Sequence, residues 1–402
     1  MRVLVLYDYP PSPGGLATQG DTLFRGLREL GVEAFPAPLR SNKEKEWYYR
    51  WFKPDVAVGI GYWGHLPDIL AKTKEFGVPG VPWLVADGFV ANYRKQMNRS
   101  PLILVTSNWV KDVYVRDGVN PDPIRVLPVG FDMRNFRKRK KNNQKVKTIR
   151  KVWNIPEDEL LILTIGGDAA SKGGREVMRA LASIDSSVPK WHYLCKIWPQ
   201  ERTVKQTNAD MALARELGIA DKVTFAMEEM SRNIMPYLIN ACDIYAGPSR
   251  LEGFGMPHVE ASASGKPVIA VNGMGFRDTL VHEKTAFLAR MEKQNVIKSS
   301  IMGKEAGFPH GYNYRFPQPV VADYRASVDD LADCLLKLMT DRKLRESIGQ
   351  AGRDYVRERF DYRTVARKFL NIISEEMGLS EDGDNTDREF RGQTGCSRST
   401  GN

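Results

Sequence analysis

Two carboxylates, Glu252 and Glu260, stand eight positions apart in the run S-R-L-E-G-F-G-M-P-H-V-E-A-S-A-S-G-K-P-V, residues 249–268. Between them lie Gly253, Gly255 and Pro257. The glycines permit close backbone approach to a ligand. Proline suits the first turn of a helix, so a helix is expected to start near Pro257. Its N-terminus would present free N–H groups to an anion. The two glutamates would then flank an anion site. That suits a ligand with phosphates in its middle and hydroxyls at both ends, as a nucleoside diphosphate sugar has. Taken alone, E-G-F-G is equally an ordinary turn before a helix. The flanking runs are what separate the two readings.

Those runs are short strands. Ile244-Tyr-Ala leads into Pro248-Ser249, and Lys266-Pro-Val-Ile-Ala-Val271 follows. Strand, glycine loop, helix and strand make one parallel α/β unit. The same alternation fills the chain. Val3–Leu6, Val56–Val58, Val81–Val85, Leu102–Val105 and Ile124–Leu127 read as strands of a first sheet. A helix is expected over Thr18–Leu30, stopped by Gly31. A second sheet is expected from Leu160–Ile165, Trp191–Cys195, Val223–Phe225, Ile244–Tyr245 and Val268–Val271. Helices are expected over Asn208–Leu217, Val328–Met339 and Asp361–Met377. Arg290–Val320, rich in Gly, Pro, aromatics and Lys, reads as an irregular insertion or an active-site-edge loop. The tail from Ser380 to Asn402 lacks aliphatic residues and reads as disordered. The fold class is therefore α/β with parallel sheets. Ligands of such sheets bind beyond the carboxyl ends of the strands.

The bulk properties exclude several classes. At 402 residues the chain is long enough for two domains. No window approaches the about 18 apolar residues of a membrane span. The N-terminus turns polar too quickly for a signal peptide. Cys195, Cys242, Cys334 and Cys396 form no C-x-x-C pair, so neither a disulfide framework nor a zinc site is indicated. A cytoplasmic protein is expected. The net charge of +10 is densest from Arg137 to Lys151. That stretch reads as a solvated interdomain linker or as a peripheral contact with an anionic membrane. Without interleaved aromatics or a nucleic-acid motif, a nucleic-acid partner is not expected.

The Glu252–Glu260 run resembles the E-x7-E signature of family 4 glycosyltransferases, which have the GT-B fold. Thr106-Ser-Asn-Trp-Val-Lys111, with Val126-Leu-Pro-Val-Gly-Phe-Asp132, is similar to the end of that family's N-terminal domain. Ser171-Lys-Gly173 is similar to its donor-phosphate loop. Gly352-Arg-Asp-Tyr-Val-Arg-Glu-Arg-Phe360 is similar to its helix before the interdomain crossover. The resemblance covers roughly residues 1–377. It implies two Rossmann-like domains facing across a cleft: an acceptor domain over 1–147 and a nucleotide-sugar domain over 148–360. A final helix over 361–377 would cross back to the first domain. It also implies hexose transfer with retention of anomeric configuration, with no cofactor beyond the nucleotide-sugar donor and no metal. The acceptor, a glycan, a lipid-linked sugar or a small molecule, is left open. The chain's one D-x-D triplet, Asp382-Gly-Asp384, lies in the tail.

The same resemblance assigns roles. Lys172 would neutralise the departing diphosphate. Gly167, Gly173 and, from the opposite domain, Gly14 and Gly15 would let the backbone approach the phosphates. Gly253, Phe254 and Gly255 would offer backbone N–H groups. Glu260 would accept the ribose hydroxyls, and Glu252 would sit by the donor sugar. Two positions depart from the family pattern. An arginine is usual where Gly167 stands, and Lys196 or Arg175 is a candidate replacement. A histidine is usual where Val85-Ala-Asp87-Gly88 stands, leaving Asp87 or His65 to contact hydroxyls. Each also has a plain reading, as a surface cation, a turn aspartate or a packed histidine. A nucleotide-sugar epimerase-like enzyme and a catalytically degenerate nucleotide-sugar binder remain alternatives. A nicotinamide dehydrogenase fits worse, because no G-x-G-x-x-G follows the first strand.

Overall fold

The computed structural model describes residues 1–86 and 88–379. The first six strands are β1 (Arg2–Tyr7), β2 (Glu33–Pro38), β3 (Val56–Tyr62), β4 (Gly80–Val85), β5 (Ile103–Val105) and β6 (Ile124–Val126). They form one parallel sheet in the order β2-β1-β3-β4-β5-β6. Strands β1, β3 and β4 are apolar along almost their whole length and buried on both faces, as parallel strands covered by helices must be. The run at β2, E-A-F-P-A-P, carries no strand signal because Pro36 and Pro38 interrupt it. An edge strand tolerates such prolines, since half its N–H groups face no partner.

A second parallel sheet contains β7 (Leu160–Ile165), β8 (Trp191–Ile197), β9 (Val223–Met227), β10 (Ile244–Ala246), β11 (Val268–Val271) and β12 (Phe287–Ala289). Its order is β12-β11-β10-β7-β8-β9. The direction of winding therefore reverses between β7 and β10. In an open α/β sheet, that reversal leaves a crevice at the carboxyl ends of the two strands. The loops after β7 and β10 are those that carry Lys172 and Glu252.

The expected irregular insertion is instead an antiparallel ribbon, β13 (Met291–Met302) with β14 (Tyr312–Ala326). Register slips where Ile297 pairs with Val320 and Ser299 with Arg315, so Phe316-Pro-Gln-Pro319 bulges out of the ladder. Proline cannot donate to a ladder, and the slip leaves both prolines outside it. Composition alone therefore disguised two long strands.

The basic stretch is also more structured than a solvated linker. Residues Gln144–Val152 form a helix, capped by the Asn143 side chain. The buried Arg150 guanidinium lies 2.8 Å from Asp243, and Lys141 reaches the same carboxylate at 2.5 Å. Arg139 covers the Tyr237 ring. Much of this positive charge serves the second domain's own packing.

The last two helices, Arg342–Phe360 and Tyr362–Met377, join the two halves. Phe131 N–H donates to Phe360 O and Tyr362 N–H to Phe131 O, at 2.7 and 3.1 Å. Val365, Ala366, Phe369, Leu370 and Ile373 then pack in one apolar cluster with Val3, Val5, Leu23 and Leu27. The tail from Ser380 lies outside the described residues. Among the described residues, no helix is long and apolar enough to cross a membrane.

Candidate active site

A cavity of about 570 Å³ opens where the two sheets' carboxyl ends face each other. Pro11–Gly15, Thr18 and Asp21 line it from the first domain. Lys172, Lys196, Trp198, Arg232, Glu252, Met256, Pro257 and Glu260 line it from the second. Gly14, Gly15, Lys172, Lys196, Glu252 and Glu260, separate in sequence, thus share one wall-to-wall space.

The two loops at the switch point are locked side by side. Arg250 N–H donates to Ser171 O at 2.9 Å. Gly173 sits at φ 78°, where a Cβ would lie 2.3 Å from Pro248 O. No other residue fits that corner. Lys172 Nζ, held by this loop, donates to Glu252 Oε2 at 2.8 Å. Glu252 Oε1 accepts the Gly255 N–H at 3.2 Å. Burial pushes the Glu252 carboxyl up, but the Lys172 ammonium and the Gly255 N–H outweigh it and hold it below the ordinary carboxylate range.

The Met256–Ala263 helix starts as expected, with Gly255 in the left-handed region (φ 86°) and Pro257 in the first turn. Its register places Glu260 in the cavity wall, nearly buried. Burial raises the Glu260 carboxyl to about 7, with Arg232 opposing. His258 points the other way. Its Nε2 meets Gly247 O at 2.5 Å and its ring packs on Tyr245 and Phe276. Burial lowers this imidazole to about 4, so it stays neutral.

Several expected contacts fall elsewhere. The Gly255 N–H is turned toward the Glu252 carboxylate, 3.2 Å away. The Phe254 ring is buried between Phe131 and Phe360 and fastens the glycine loop to the domain junction. Gly253 lies against Val110 of the first domain, where a Cβ would stand 3.2 Å from Val110 Cγ2. Gly167 uses its carbonyl to accept the Trp198 N–H at 3.0 Å. Arg175 is tied to the buried Asp210 at 2.5 Å and is not among the cavity residues. His65 is buried against Tyr62, with Arg40 at 3.2 Å, and is likewise absent from the lining. Asp87 lies outside the described residues.

Sequence reasoning missed Arg232, which no motif marks. It stands 3.8 Å from Glu260 and donates to the Thr18 hydroxyl, so it touches both domains. Lys196 also faces the cavity, 5.9 Å from the centre of the Trp198 ring. Burial lowers the Lys196 ammonium, with Glu229 opposing. The site therefore has three cations around it although position 167 is glycine.

Comparison with known proteins adds to this geometry. Residues 145–302 match the family "Glycosyl transferases group 1". The stretch holds β7–β11, the Lys172 loop and both glutamates. The chain is 30% identical over 168 residues to the GDP-mannose-dependent alpha-(1-6)-phosphatidylinositol monomannoside mannosyltransferase of Mycobacterium tuberculosis, covering 40% of this chain and 34% of that protein. It is 30% identical over 169 residues to the D-inositol 3-phosphate glycosyltransferase of Mycobacterium bovis, covering 42% and 33%. The match thus spans about a third of the length of these relatives. Among solved structures, Alr3699/HepE of Anabaena in complex with UDP and glucose superposes with a TM-score of 0.69 at 15% identity, over 93% of this chain and 100% of that one. A glycosyltransferase of Rickettsia africae gives 0.72 at 18% identity, over 94% and 99%. The fold is GT-B: two Rossmann-like α/β domains facing across a cleft.

Proposed function

We propose that this protein is a retaining glycosyltransferase that moves a hexose from a nucleoside diphosphate sugar to a hydroxyl acceptor, without a metal. The observation that carries this reading is the convergence of Lys172–Glu252 and Arg232–Glu260 on one cavity between the two sheets.

Each group has a task in it. Glu260 accepts hydrogen bonds from the ribose hydroxyls. Lys172, Arg232 and Lys196 supply positive charge to the diphosphate, and the N-terminus of the Met256–Ala263 helix adds its dipole. Gly14 and Gly15 leave room for phosphate oxygens from the opposite side. Glu252 accepts from the sugar hydroxyls and stabilises positive charge developing at the anomeric carbon. The acceptor oxygen attacks that carbon from the face the phosphate leaves. The sugar–phosphate bond breaks, and the acceptor's proton passes to the departing phosphate oxygen. The products are a glycoside and a nucleoside diphosphate.

A nucleotide-sugar binder without turnover would be favoured if glycine at position 167 left the site short of positive charge. Arg232 and Lys196 face the same space, so the site is not short of positive charge. The test is a thermal-shift screen with UDP, GDP, ADP and dTDP, since a ligand bound only by the folded state raises its stability. GDP-mannose and UDP-glucose are the first donors to assay, and NMR of the product reports its anomeric configuration. If no nucleoside diphosphate shifts the melting temperature, the site is not a nucleotide-sugar site. If nucleotide binds but the sugar is only isomerised, the epimerase-like alternative replaces transfer.

A further inference from the structure

The β13–β14 ribbon leaves the second domain and ends in the first. At its base, Tyr324 N–H donates to Arg250 O at 2.7 Å, two residues before Glu252. At its tip, Met302 and Ala306 are buried in the same apolar cluster as Leu84, Val90, Ala91 and Met97 of the first domain. Polar contacts fix the tip. Asn92 donates to Ala306 O at 3.2 Å, and Arg94 donates to the Tyr314 hydroxyl at 2.8 Å. Phe89 meets the Phe316 ring edge-on at 4.9 Å.

These contacts sit beyond the carboxyl ends of β3 and β4. That is where the first domain would otherwise present an open acceptor surface. Gly88, just after β4, is packed so closely that a Cβ would lie 3.3 Å from both Leu251 and Val321. Past the end of β5 the domains are also joined, by Asn108 to Asp278 at 2.9 and 2.6 Å. At the ends of β1 and β2 the arrangement differs. Pro11, Ser12 and Pro13 line the cavity itself, and Tyr9 and Arg40 beside them are exposed.

We propose that the ribbon is an interdomain strap that shuts the cleft along the ends of β3 and β4, beside the Asn108–Asp278 join past β5. The acceptor then reaches Glu252 only over the ends of β1 and β2, so it is a small molecule or the end of a chain, not an internal unit of a polymer. The acceptor clause rests on the transferase reading above; the strap itself does not.

Two variants detach the tip. Gly307 has φ 76°, and a Cβ there would collide with the Tyr93 hydroxyl and crowd the Asn92 amide, so Gly307→Leu strains the seat of the tip on the first domain. Replacing residues 298–319 by Asn-Gly removes Met302, Ala306, Tyr314 and Phe316 together and closes a hairpin turn on the Ile297–Val320 pair. Small-angle scattering should give both variants a larger radius of gyration than the parent. A retained thermal shift with the best nucleoside diphosphate would show that the second domain is intact. In transfer assays the parent should modify monosaccharide-sized alcohols and oligosaccharide ends but no internal residue, whereas the shortened hairpin should admit internal residues. An unchanged radius in both variants, or internal modification by the parent, overturns the proposal. Failure of the parent to turn over any donor would count against the transferase reading, and the scattering comparison would still decide the strap.

Discussion

Lys172 Nζ donates to Glu252 Oε2 across 2.8 Å, joining the loop after β7 to the glycine loop after β10. Removing one partner of a buried ion pair strands the other, at a cost of about 3–5 kcal/mol. Both side chains here keep some solvent contact, so roughly 1–3 kcal/mol is the fitting range. Lys172→Met should therefore destabilise the protein by more than the double variant Lys172→Met with Glu252→Gln. Urea unfolding measures the difference. Turnover should fall about 100-fold in Lys172→Met, with a smaller loss in nucleotide affinity.

Glu260 makes stability and binding move oppositely with pH. Its folded-state value of about 7 lies above the ordinary 4.5, because burial disfavours the charged form. A raised value means stability is fully present below the unfolded value and is lost as pH rises through about 7. The Glu260→Gln variant should lack this decline in a melting-temperature profile. Nucleotide affinity should run the other way, rising as the carboxyl ionises and becomes a pure acceptor for two hydroxyls.

Arg232 is the side chain at which the two domains meet over the site. Arg232→Ala should weaken nucleoside diphosphate binding by about 1.5–3 kcal/mol, the range for a hydrogen bond to a charged group. It should also move the pH midpoint of the preceding experiment upward, since Arg232 lowers the Glu260 carboxyl. Calorimetric titration at two pH values tests both effects together. Unchanged affinity would remove Arg232 from the site.

Gly173→Ala tests the corner between the two loops. The new Cβ would meet Pro248 O at 2.3 Å and force a left-handed backbone on alanine. A loss of about 2–4 kcal/mol is expected, from steric overlap together with backbone strain. Gly167→Ala, at a position with nothing within 4 Å, is the control and should be near neutral in stability.

Much of this molecule could be read from its residues, and the reasons for the gaps are physical. Apolar runs such as Leu160–Ile165 announce themselves because a parallel strand is buried on both faces. Gly255 and Pro257 likewise declare a helix start, since they satisfy a local backbone requirement. The ribbon was hidden because β14 carries two prolines and its outward positions bury little. Arg232 was hidden because its importance lies in what folds beside it: Glu260, 28 positions later, and Thr18, far earlier. Arg150 and Lys141 looked like solvated charge for the same reason, their shared partner Asp243 being remote in sequence. Arg150→Met should accordingly cost about 3–5 kcal/mol in chemical denaturation, and pairing it with Asp243→Asn should recover part of that loss.

The helix Tyr362–Met377 has a consequence for how the chain is made. One face of the first sheet is covered partly by Val365, Phe369 and Ile373. These residues are among the last of the described chain to leave the ribosome. Domains generally fold in order as they emerge during synthesis. Here the first domain to emerge cannot finish first: until the crossover helix arrives, the apolar surface around Val3, Val5 and Leu27 lacks its cover. The second domain must be synthesised in full before the first is sealed. A nascent chain stalled before residue 362 should thus expose a sticky sheet face that the released protein does not.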